Sequence, residues 1–351
     1  MSVGFWWQQP AAPLSSAARQ QAAERQSQLT KPPGSLGELE QLALSFAAFQ
    51  DRVKPELQHP CCVVFAGDHG VVAQGVSAFP QAVTVEMLKN FVSGGAAIAV
   101  LARQHDMPLA VVNCGTAVPC DELSGVIQRP VMAGTEDFSV QAAMNHDQAQ
   151  QALRIGAEQL ERLQAEGCDL FIAGEMGIGN TSAASCLSAL LLGQEVNALT
   201  GPGTGVQGAA LTHKQQVLAR SVARARPLLQ SPLDALQQVG GLEVAAITGA
   251  CLRAAQLGIP VLVDGFITTA AALLAVRLNA GVRDWLLFGH TSAEPGHQAL
   301  LNVLAARPLL QLGMRLGEGS GAALALGIVR QALALHNGMA TFAEAAVSSG
   351  Q

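Results

Sequence analysis

The chain has 351 residues, half of them apolar, so its composition excludes wholesale disorder and supports a sizeable core. The net charge is −6 without a basic run, which argues against nucleic-acid binding, and the longest apolar stretch, residues 265–276, is too short to span a membrane. The seven cysteines include no CxxC pair and the N-terminus has no secretory-signal pattern, so we expect reduced thiols in a cytoplasmic protein.

The N-terminal fifty residues are predicted to form two helices. The first covers residues 17–28, with Ser15 or Ser16 as its N-cap. The second covers residues 38–50, where apolar side chains recur at helical spacing. The segment between them, residues 31–37 (KPPGSLG), cannot continue a helix because it holds two prolines and two glycines.

The middle of the chain contains five short apolar runs, each closed by a glycine and a polar residue. Continuous apolar runs are typical of parallel strands buried on both faces, so we predict a Rossmann-like parallel sheet flanked by helices, an α/β fold. Because ligands bind at the carboxyl ends of such strands, the polar residues that follow them are expected around one site. The runs are residues 61–66, 109–112, 169–173, 261–263 and 285–288.

The chain is again predicted to be helical from about residue 305 to its end. Helices at both ends of an α/β centre suggest a small helical domain built from the two termini. We therefore expect a discontinuous small domain of residues 1–50 and 305–351, and a large α/β catalytic domain of residues 51–304.

The most informative segment is residues 174–182 (GEMGIGNTS), where a strand end passes through glycines into a helix start. Exposed amides at a helix N-terminus form an anion site, although such turns also serve packing alone. The segment fits neither the dinucleotide fingerprint nor the Walker pattern, so nucleoside triphosphate hydrolysis is disfavoured. Glu175 is unusual here, since a carboxylate beside an anion site is unfavourable. We therefore expect Glu175 to have a separate role.

A second glycine-rich turn, residues 200–205 (TGPGTG), precedes Lys214, the only lysine after residue 89. A solvated surface lysine is the ordinary interpretation of such a residue. Its isolation downstream of a glycine-rich loop favours the alternative that it meets a phosphate group.

Glu318 stands between glycines in residues 315–323 (RLGEGSGAA), just before an apolar helix. A carboxylate in this position could simply complement the helix dipole. Capping does not require three flanking glycines, which indicate close approach of another group to the backbone. We therefore favour catalytic use of Glu318.

Three histidines leave alternatives open. His69 follows Asp68 at a strand end, where the two could be an acid–base pair or a structural pair. His290 and His297 lie near Ser292, but their spacing matches no zinc pattern, so a metal site is improbable. No serine occupies a G-x-S-x-G elbow, which argues against an α/β hydrolase.

Five motifs in this order closely resemble the nicotinate-nucleotide–dimethylbenzimidazole phosphoribosyltransferase family, whose enzymes assemble the lower ligand of cobalamin. The resemblance extends from about residue 13 to residue 337. The motifs are residues 31–37 (KPPGSLG), 67–71 (GDHGV), 174–181 (GEMGIGNT), 264–266 (DGF) and 315–322 (RLGEGSGA).

The resemblance implies a homodimer with the fold described above and a defined reaction. Phosphoribosyl would pass from nicotinate mononucleotide to 5,6-dimethylbenzimidazole, giving α-ribazole 5′-phosphate and nicotinate with inversion at C1′. It implies that Glu318 is the general base and that Glu175 is the second catalytic carboxylate. The phosphoribosyl site would comprise Lys214, Gly177, Asn180, Gly203, Gly205 and Ser292.

The base site implied by the resemblance comprises Phe79, Met87, Arg315 and Leu316. Family members can carry polar residues where this chain has Phe79 and Met87, so the preferred base is open between dimethylbenzimidazole, adenine and other benzimidazoles. No cofactor or metal is expected, because the donor carries a monophosphate and its pyridinium leaves without protonation.

Two other functions compete with this one. A non-catalytic binder of nucleotides or flat bases would use the same glycine-rich loops, but it has little use for the glycine-flanked Glu318. A nucleosidase would pass the phosphoribosyl group to water, and an apolar acceptor site at Phe79 and Met87 argues against it.

Overall fold

Short apolar strands form one sheet in the computed structural model, which describes residues 5–348. Within that range the strands are β1 Pro60–Gly67, β2 Leu109–Gly115, β3 Val126–Gln128, β4 Leu170–Met176, β5 Val261–Val263 and β6 Leu286–Phe288. All neighbouring strands are parallel, in the order β3-β2-β1-β4-β5-β6. This is the strand order of a doubly wound α/β fold, so the predicted fold class is confirmed.

The sheet is buried on both faces, as its apolar sequences predict. Every residue of β1 is buried, and successive side chains point to opposite faces. Val63 and Phe65 belong to one core cluster, whereas Val64 and Ala66 belong to the other. Chain order reverses between β1 and β4, so a crevice opens at their carboxyl ends.

The described residues contain α-helices of four to twenty residues between and around the strands. They are α1 Ser16–Gln28, α2 Glu38–Gln50, α3 Ala82–Ser93, α4 Ala97–Gln104, α5 His146–Ala165, α6 Asn180–Leu192, α7 Val196–Leu199, α8 Gly208–Ala225, α9 Pro232–Val239, α10 Leu242–Leu257, α11 Phe266–Leu278, α12 His297–Val303 and α13 Ser320–Gly338. Short 3₁₀ helices cover Trp6–Gln8, Gly70–Gln74, Arg226–Leu228 and Ala280–Trp285.

The helices form two layers, one on each face of the sheet. Helices α5, α6 and α8–α12 pack on one face, and α2, α3, α4 and α13 pack on the other. Small residues allow close packing: a Cβ on Gly156 of α5 would overlap the carbonyl oxygen of Ala246 in α10.

The helices from the two chain ends contact each other. Helix α2 packs against both α1 and α13. Arg25 of α1 donates from Nε to the carbonyl oxygen of His336 at 3.0 Å, and Ser15 is the N-cap of α1. The division into a small helical domain and a large α/β domain stays a prediction.

Two features depart from the sequence-based predictions. Strand β3 was not predicted. The prediction of helix from residue 305 was wrong for residues 305–319, because this segment pairs with the end of β6 instead. The Leu309 amide donates to the Phe288 carbonyl oxygen at 3.0 Å, and the Thr291 amide donates to the Leu310 carbonyl oxygen at 2.8 Å. Helix α13 covers only Ser320–Gly338, so the prediction was also wrong for residues 339–348, which form a bridge and turns.

One described stretch, Ala82–Gln104, is long and apolar enough to cross a membrane by length and composition alone. The structure divides it into α3 and α4 around a left-handed Gly94. Leu88 of α3 and Ile98 of α4 are completely buried in a core cluster against the sheet. One side of each helix therefore packs in the core.

Candidate active site

A cavity of about 440 Å³ lies at the carboxyl ends of β4, β5 and β6. Its wall combines polar residues that follow these strands with apolar residues from α3 and from the segment before α13. The lining residues are Phe79, Val83, Met87, residues 175–178, Asn180, Thr181, Gly203, Thr204, residues 264–268, His290, Ser292, Glu294 and residues 315–318. Of the predicted site residues, only Lys214 and Gly205 are outside this wall.

Residues 177–180, here called the anion loop, connect β4 to the N-terminus of α6. Gly177 lies against the end of β1, where an added Cβ would overlap the Gly67 carbonyl oxygen. Asn180 is the first residue of α6, and its side-chain amide donates to the Glu175 carboxylate. The loop thus places the N-terminus of α6 at the cavity, an arrangement that suits an anion, while the amides of Ile178 and Asn180 already donate to Thr84 Oγ1 and to the Gly177 carbonyl oxygen.

Glu175 lies at the end of β4 and is buried in the cavity wall. Burial raises its pKa to about 8, and the negative charges of Asp264 and Glu243 act in the same direction. The Glu318 backbone amide lowers the pKa and partly offsets this rise. Its surroundings therefore favour the protonated form of Glu175.

Glu318 occupies a strained turn between Gly317 and Gly319. Its φ is 66°, a left-handed conformation that a side chain other than glycine rarely adopts and that is often found at functional sites. Its carboxylate accepts a hydrogen bond from the Ile98 amide at 3.2 Å, at the start of α4. Burial raises the pKa of Glu318, and the charge of Asp264 adds to this rise.

The glycines of this turn allow the two catalytic candidates to lie close together. A Cβ on Gly317 would overlap Oε1 of Glu175, and a Cβ on Gly174 would overlap the Glu318 carbonyl oxygen. Glu175 and Glu318 are thus brought to one cavity by backbone packing that larger residues would prevent.

Asp264 directly follows β5 and was expected near the site with the other polar residues at strand ends, but the sequence assigned it no role. Its carboxylate accepts hydrogen bonds from the amides of Gly319 at 3.2 Å and Ala322 at 2.8 Å. It therefore caps α13 from another element and fixes the turn that carries Glu318. His290 lies beside it, with Nε2 3.6 Å from Asp264 Oδ1.

Lys214 lies behind the cavity wall and is buried. Its ammonium donates to Thr181 Oγ1 at 3.2 Å and to the Gly201 carbonyl oxygen at 3.1 Å. Burial lowers the pKa of Lys214, and the nearby charge of Glu294 opposes that effect. Thr181, part of the glycine-rich segment singled out in the sequence, and Glu294, to which the sequence assigned no role, lie in the cavity wall near Lys214.

Ser292 lines the cavity and is held by His297. The Ser292 amide donates to His297 Nδ1 at 2.8 Å, so the ring proton is on Nε2, which donates to Thr269 Oγ1 at 3.0 Å. Burial lowers the pKa of His297 to about 3, so the ring is neutral. Across residues 5–348 no cluster of three or more His, Cys, Asp or Glu side chains is arranged to hold a metal ion.

The opposite wall is apolar. Phe79, Val83 and Met87 come from α3 and the segment before it, and Leu316 of the 315–318 segment lines the same cavity. Phe79 and Leu316 are 48% and 59% exposed, so neither is an ordinary core residue. Arg315 is held by a hydrogen bond from Nη1 to the Gly203 carbonyl oxygen at 2.9 Å.

Asp68 and His69 are completely buried and do not line the cavity. They are not paired with each other. His69 Nε2 lies 2.8 Å from Glu243 Oε1, whereas Asp68 accepts hydrogen bonds from Thr84 and Ala117. Their positions exclude direct contact with a ligand in the cavity.

Comparison with known proteins identifies the family. A family model described as phosphoribosyltransferase matches residues 11–347. A nicotinate-nucleotide–dimethylbenzimidazole phosphoribosyltransferase from Ectopseudomonas mendocina is 57% identical over 98% of both chains, and one from Pseudomonas aeruginosa is 55% identical over the same shares. The chain belongs to this family. The resemblance found from the motifs is therefore confirmed.

A solved structure of the family supports the fold. The crystal structure of CobT from Thermus thermophilus is 47% identical, with a TM-score of 0.91, over 95% of this chain and 99% of that one. Members of the family are pentosyltransferases, and the fold and the enzyme class of this chain follow from its membership.

Proposed function

We propose that this chain transfers phosphoribosyl from nicotinate mononucleotide to 5,6-dimethylbenzimidazole, giving α-ribazole 5′-phosphate and nicotinate. The relatives that it matches over 98% of their length carry the name of this reaction. The observation that carries the proposal is the cavity itself. Its wall contains Glu318, whose backbone is left-handed, together with residues of the anion loop and apolar side chains.

The anion loop and Ser292 bind the 5′-phosphate in this proposal. The N-terminus of α6 at the end of this loop favours a dianion. Gly203 and Gly205 belong to the loop beside them, and Lys214 adds positive charge from behind Thr181. Asn180 fixes Glu175 at the edge of this phosphate site.

Glu318 acts as the general base. One ring nitrogen of the benzimidazole attacks C1′ while the bond from C1′ to the pyridine nitrogen breaks. The proton of the other ring nitrogen passes to the Glu318 carboxylate, so the product is neutral at the transferred base. Nicotinate leaves without protonation because its ring nitrogen was cationic in the donor. Attack opposite the leaving group converts the β-anomer to the α-anomer.

Glu175 stabilises the positive charge that develops at C1′. Burial raises the pKa of this carboxyl to about 8. A bound pyridinium nucleotide brings a positive charge beside it, which favours the ionised form. The carboxylate then lies beside the oxocarbenium-like centre, as in glycoside chemistry.

The apolar wall selects the acceptor. Phe79 offers a ring face and Met87 a polarizable thioether, which suit a flat methylated base. Neither side chain offers a hydrogen bond to an exocyclic amine. Arg315 and Leu316 complete the base site from the opposite side. An acceptor site of this kind favours transfer to a base over transfer to water.

A homodimer and a cytoplasmic location are further parts of the proposal. Leu312 and Leu316 are 61% and 59% exposed beside the cavity, and exposed apolar side chains in one segment suit an interface. All seven cysteines are buried free thiols, which suits a reducing compartment.

The test is direct product analysis. Purified protein is incubated with nicotinate mononucleotide and a panel of bases, and the products are identified by mass and by the configuration at C1′. We expect α-ribazole 5′-phosphate and nicotinate in equal amounts. Release of ribose 5-phosphate without a base adduct would instead identify a nucleosidase. The absence of turnover with every base would support the alternative of a non-catalytic binding protein.

A further inference from the structure

The GDHG motif at the end of β1 has no place in the proposed chemistry, yet it is connected to the anion loop. Asp68 and Thr84 are both completely buried. Thr84 Oγ1 donates to Asp68 Oδ1 at 2.6 Å, and it accepts a hydrogen bond from the Ile178 amide at 3.2 Å. Asp68 Oδ2 accepts from the Ala117 amide at 2.9 Å. These contacts form one continuous chain from the sheet to the loop.

The direction of each hydrogen bond in the chain is fixed. A hydroxyl has a single proton, and the amide of Ile178 can only donate. Because Thr84 Oγ1 accepts from that amide, its own proton must point to Asp68. A carboxylate that accepts at both oxygens meets this requirement, whereas a carboxamide at position 68 would place a donor against another donor.

The chain joins the two halves of the cavity. Ile178 belongs to the anion loop, and both Ile178 and its neighbour Gly177 line the cavity. Thr84 belongs to α3, where the adjacent Val83 and the later Met87 line the apolar wall. The Thr84 hydroxyl is thus the point at which the helix of the base site is attached to the loop of the phosphate site.

We propose that Asp68 and Thr84 are positioning residues that hold the anion loop and α3 at a fixed separation. The inference rests on the proposed function, since it concerns the distance between the bound phosphoribosyl group and the acceptor base. Neither residue contacts substrate. Loss of the chain releases the Ile178 amide from its partner and lets the two walls of the cavity move independently.

The test compares two substitutions of Thr84 with one control. Thr84→Val keeps the shape and removes the hydroxyl, whereas Thr84→Ser keeps the hydroxyl. Thr248→Val makes the same change at an equally buried threonine of α10, whose hydroxyl donates to helix carbonyl oxygens of Val244 and Ala271. For each protein we measure KM for both substrates, kcat, the thermal midpoint and calorimetric binding of nicotinate mononucleotide alone.

We expect Thr84→Val to raise KM for both substrates and Kd for the nucleotide by about tenfold, the effect of one lost hydrogen bond to a buried group. Thr84→Ser should restore these values to within about twofold of the unmodified chain. Thr248→Val should lower the thermal midpoint without changing either KM. Unchanged KM and Kd values in Thr84→Val, or a Thr84→Ser protein that fails in the same way, would overturn the proposal.

Asp68→Asn provides a second variant if Thr84→Val does not fold. It retains the shape of the side chain but places the new NH₂ group against a second donor, either the Thr84 hydroxyl or the Ala117 amide. KM for both substrates should therefore rise as in Thr84→Val. An Asp68→Asn protein with the same KM values as the unmodified chain would contradict the inference. If the unmodified chain makes no α-ribazole 5′-phosphate, the proposed function fails, and the calorimetric Kd of the nucleotide still tests the positioning of the loop.

Discussion

Replacement of Gly317 by alanine should disable the site by displacing Glu175. Gly317 has a φ of 87°, and a Cβ added there would lie 3.3 Å from the Glu175 carboxyl carbon and would overlap its Oε1. The left-handed backbone alone costs an alanine about 1–2 kcal/mol. Because carbon and oxygen do not normally approach closer than about 3.3 Å, the carboxylate must also move by about 1 Å.

That movement removes the hydrogen bond that Glu175 accepts from Asn180 and weakens the interaction of its carboxyl group with the Glu318 amide. Loss of a hydrogen bond at a buried group costs about 1–3 kcal/mol. A misplacement of about 1 Å at a catalytic group lowers the rate by about 10²-fold. We therefore expect Gly317→Ala to lose about 10²-fold in kcat/KM with nicotinate mononucleotide and dimethylbenzimidazole.

Gly313 offers a matched control in the same segment. Its φ is 68°, and a Cβ added there would meet no atom within 4 Å. Gly313→Ala therefore carries the backbone strain without the overlap, so it should lose stability in urea but keep its activity. If Gly317→Ala and Gly313→Ala agree within about threefold in kcat/KM, the overlap with Glu175 has no catalytic consequence.

A double-mutant cycle isolates the contact. In a Glu175→Ala background the overlap disappears, so Gly317→Ala should cost only the strain seen with Gly313→Ala. The free energies of unfolding should then show a coupling of about 1–3 kcal/mol between positions 175 and 317. Additive free energies would refute the steric explanation.

Four further outcomes are expected. Glu318→Gln should lower kcat by about 10²–10⁴-fold while calorimetry still detects nucleotide binding, and near-normal turnover would exclude Glu318 as the base. Lys214→Ala should raise KM for nicotinate mononucleotide more than for nicotinate riboside, and equal losses with the two donors would show that Lys214 does not act on the phosphate. The unmodified chain should prefer dimethylbenzimidazole over adenine by about ten- to a hundredfold in direct competition, and Phe79→Ser should reduce this ratio; an unchanged ratio would exclude Phe79 from base selection. The pKa of Glu318 is raised and the general base must be ionised, so kcat/KM should fall on acidification at a pH above the usual glutamate range. Asp264→Asn removes a neighbouring negative charge and should shift this fall in kcat/KM to lower pH. A shift to higher pH would contradict the assignment of Glu318 as the base.

The sequence was sufficient for the strands that contain a continuous apolar run. Continuous apolar runs identified five of them, because burial on both faces leaves no polar alternation in the sequence. Strand β3, Val126–Gln128, has three residues and only Val126 is buried, so it carries too little pattern to detect. Residues 305–319 look helical by composition, but their backbone groups pair with residues that follow β6, a tertiary contact that local propensity does not contain.

The cavity could be predicted in outline but not in its supporting contacts. Glycines beside Glu175 and Glu318 marked both carboxylates, since close backbone packing demands glycine. Asp264 acts through hydrogen bonds to amides of a segment more than fifty residues away, and such amides carry no signal in the sequence. Lys214 was expected at the phosphate, and only the folded chain reveals that Thr181 stands between it and the cavity.

The left-handed conformation of Glu318 lowers the stability of the fold, whereas its carboxylate is needed for turnover. Glycine adopts a φ of 66° without steric cost, and it would also remove a carboxylate whose burial raises its pKa. Heat-resistance screening that ignores product formation should therefore enrich glycine at position 318 and return inactive enzymes. Engineering for higher thermal stability should therefore keep Glu318 unchanged and introduce stabilising substitutions at other positions.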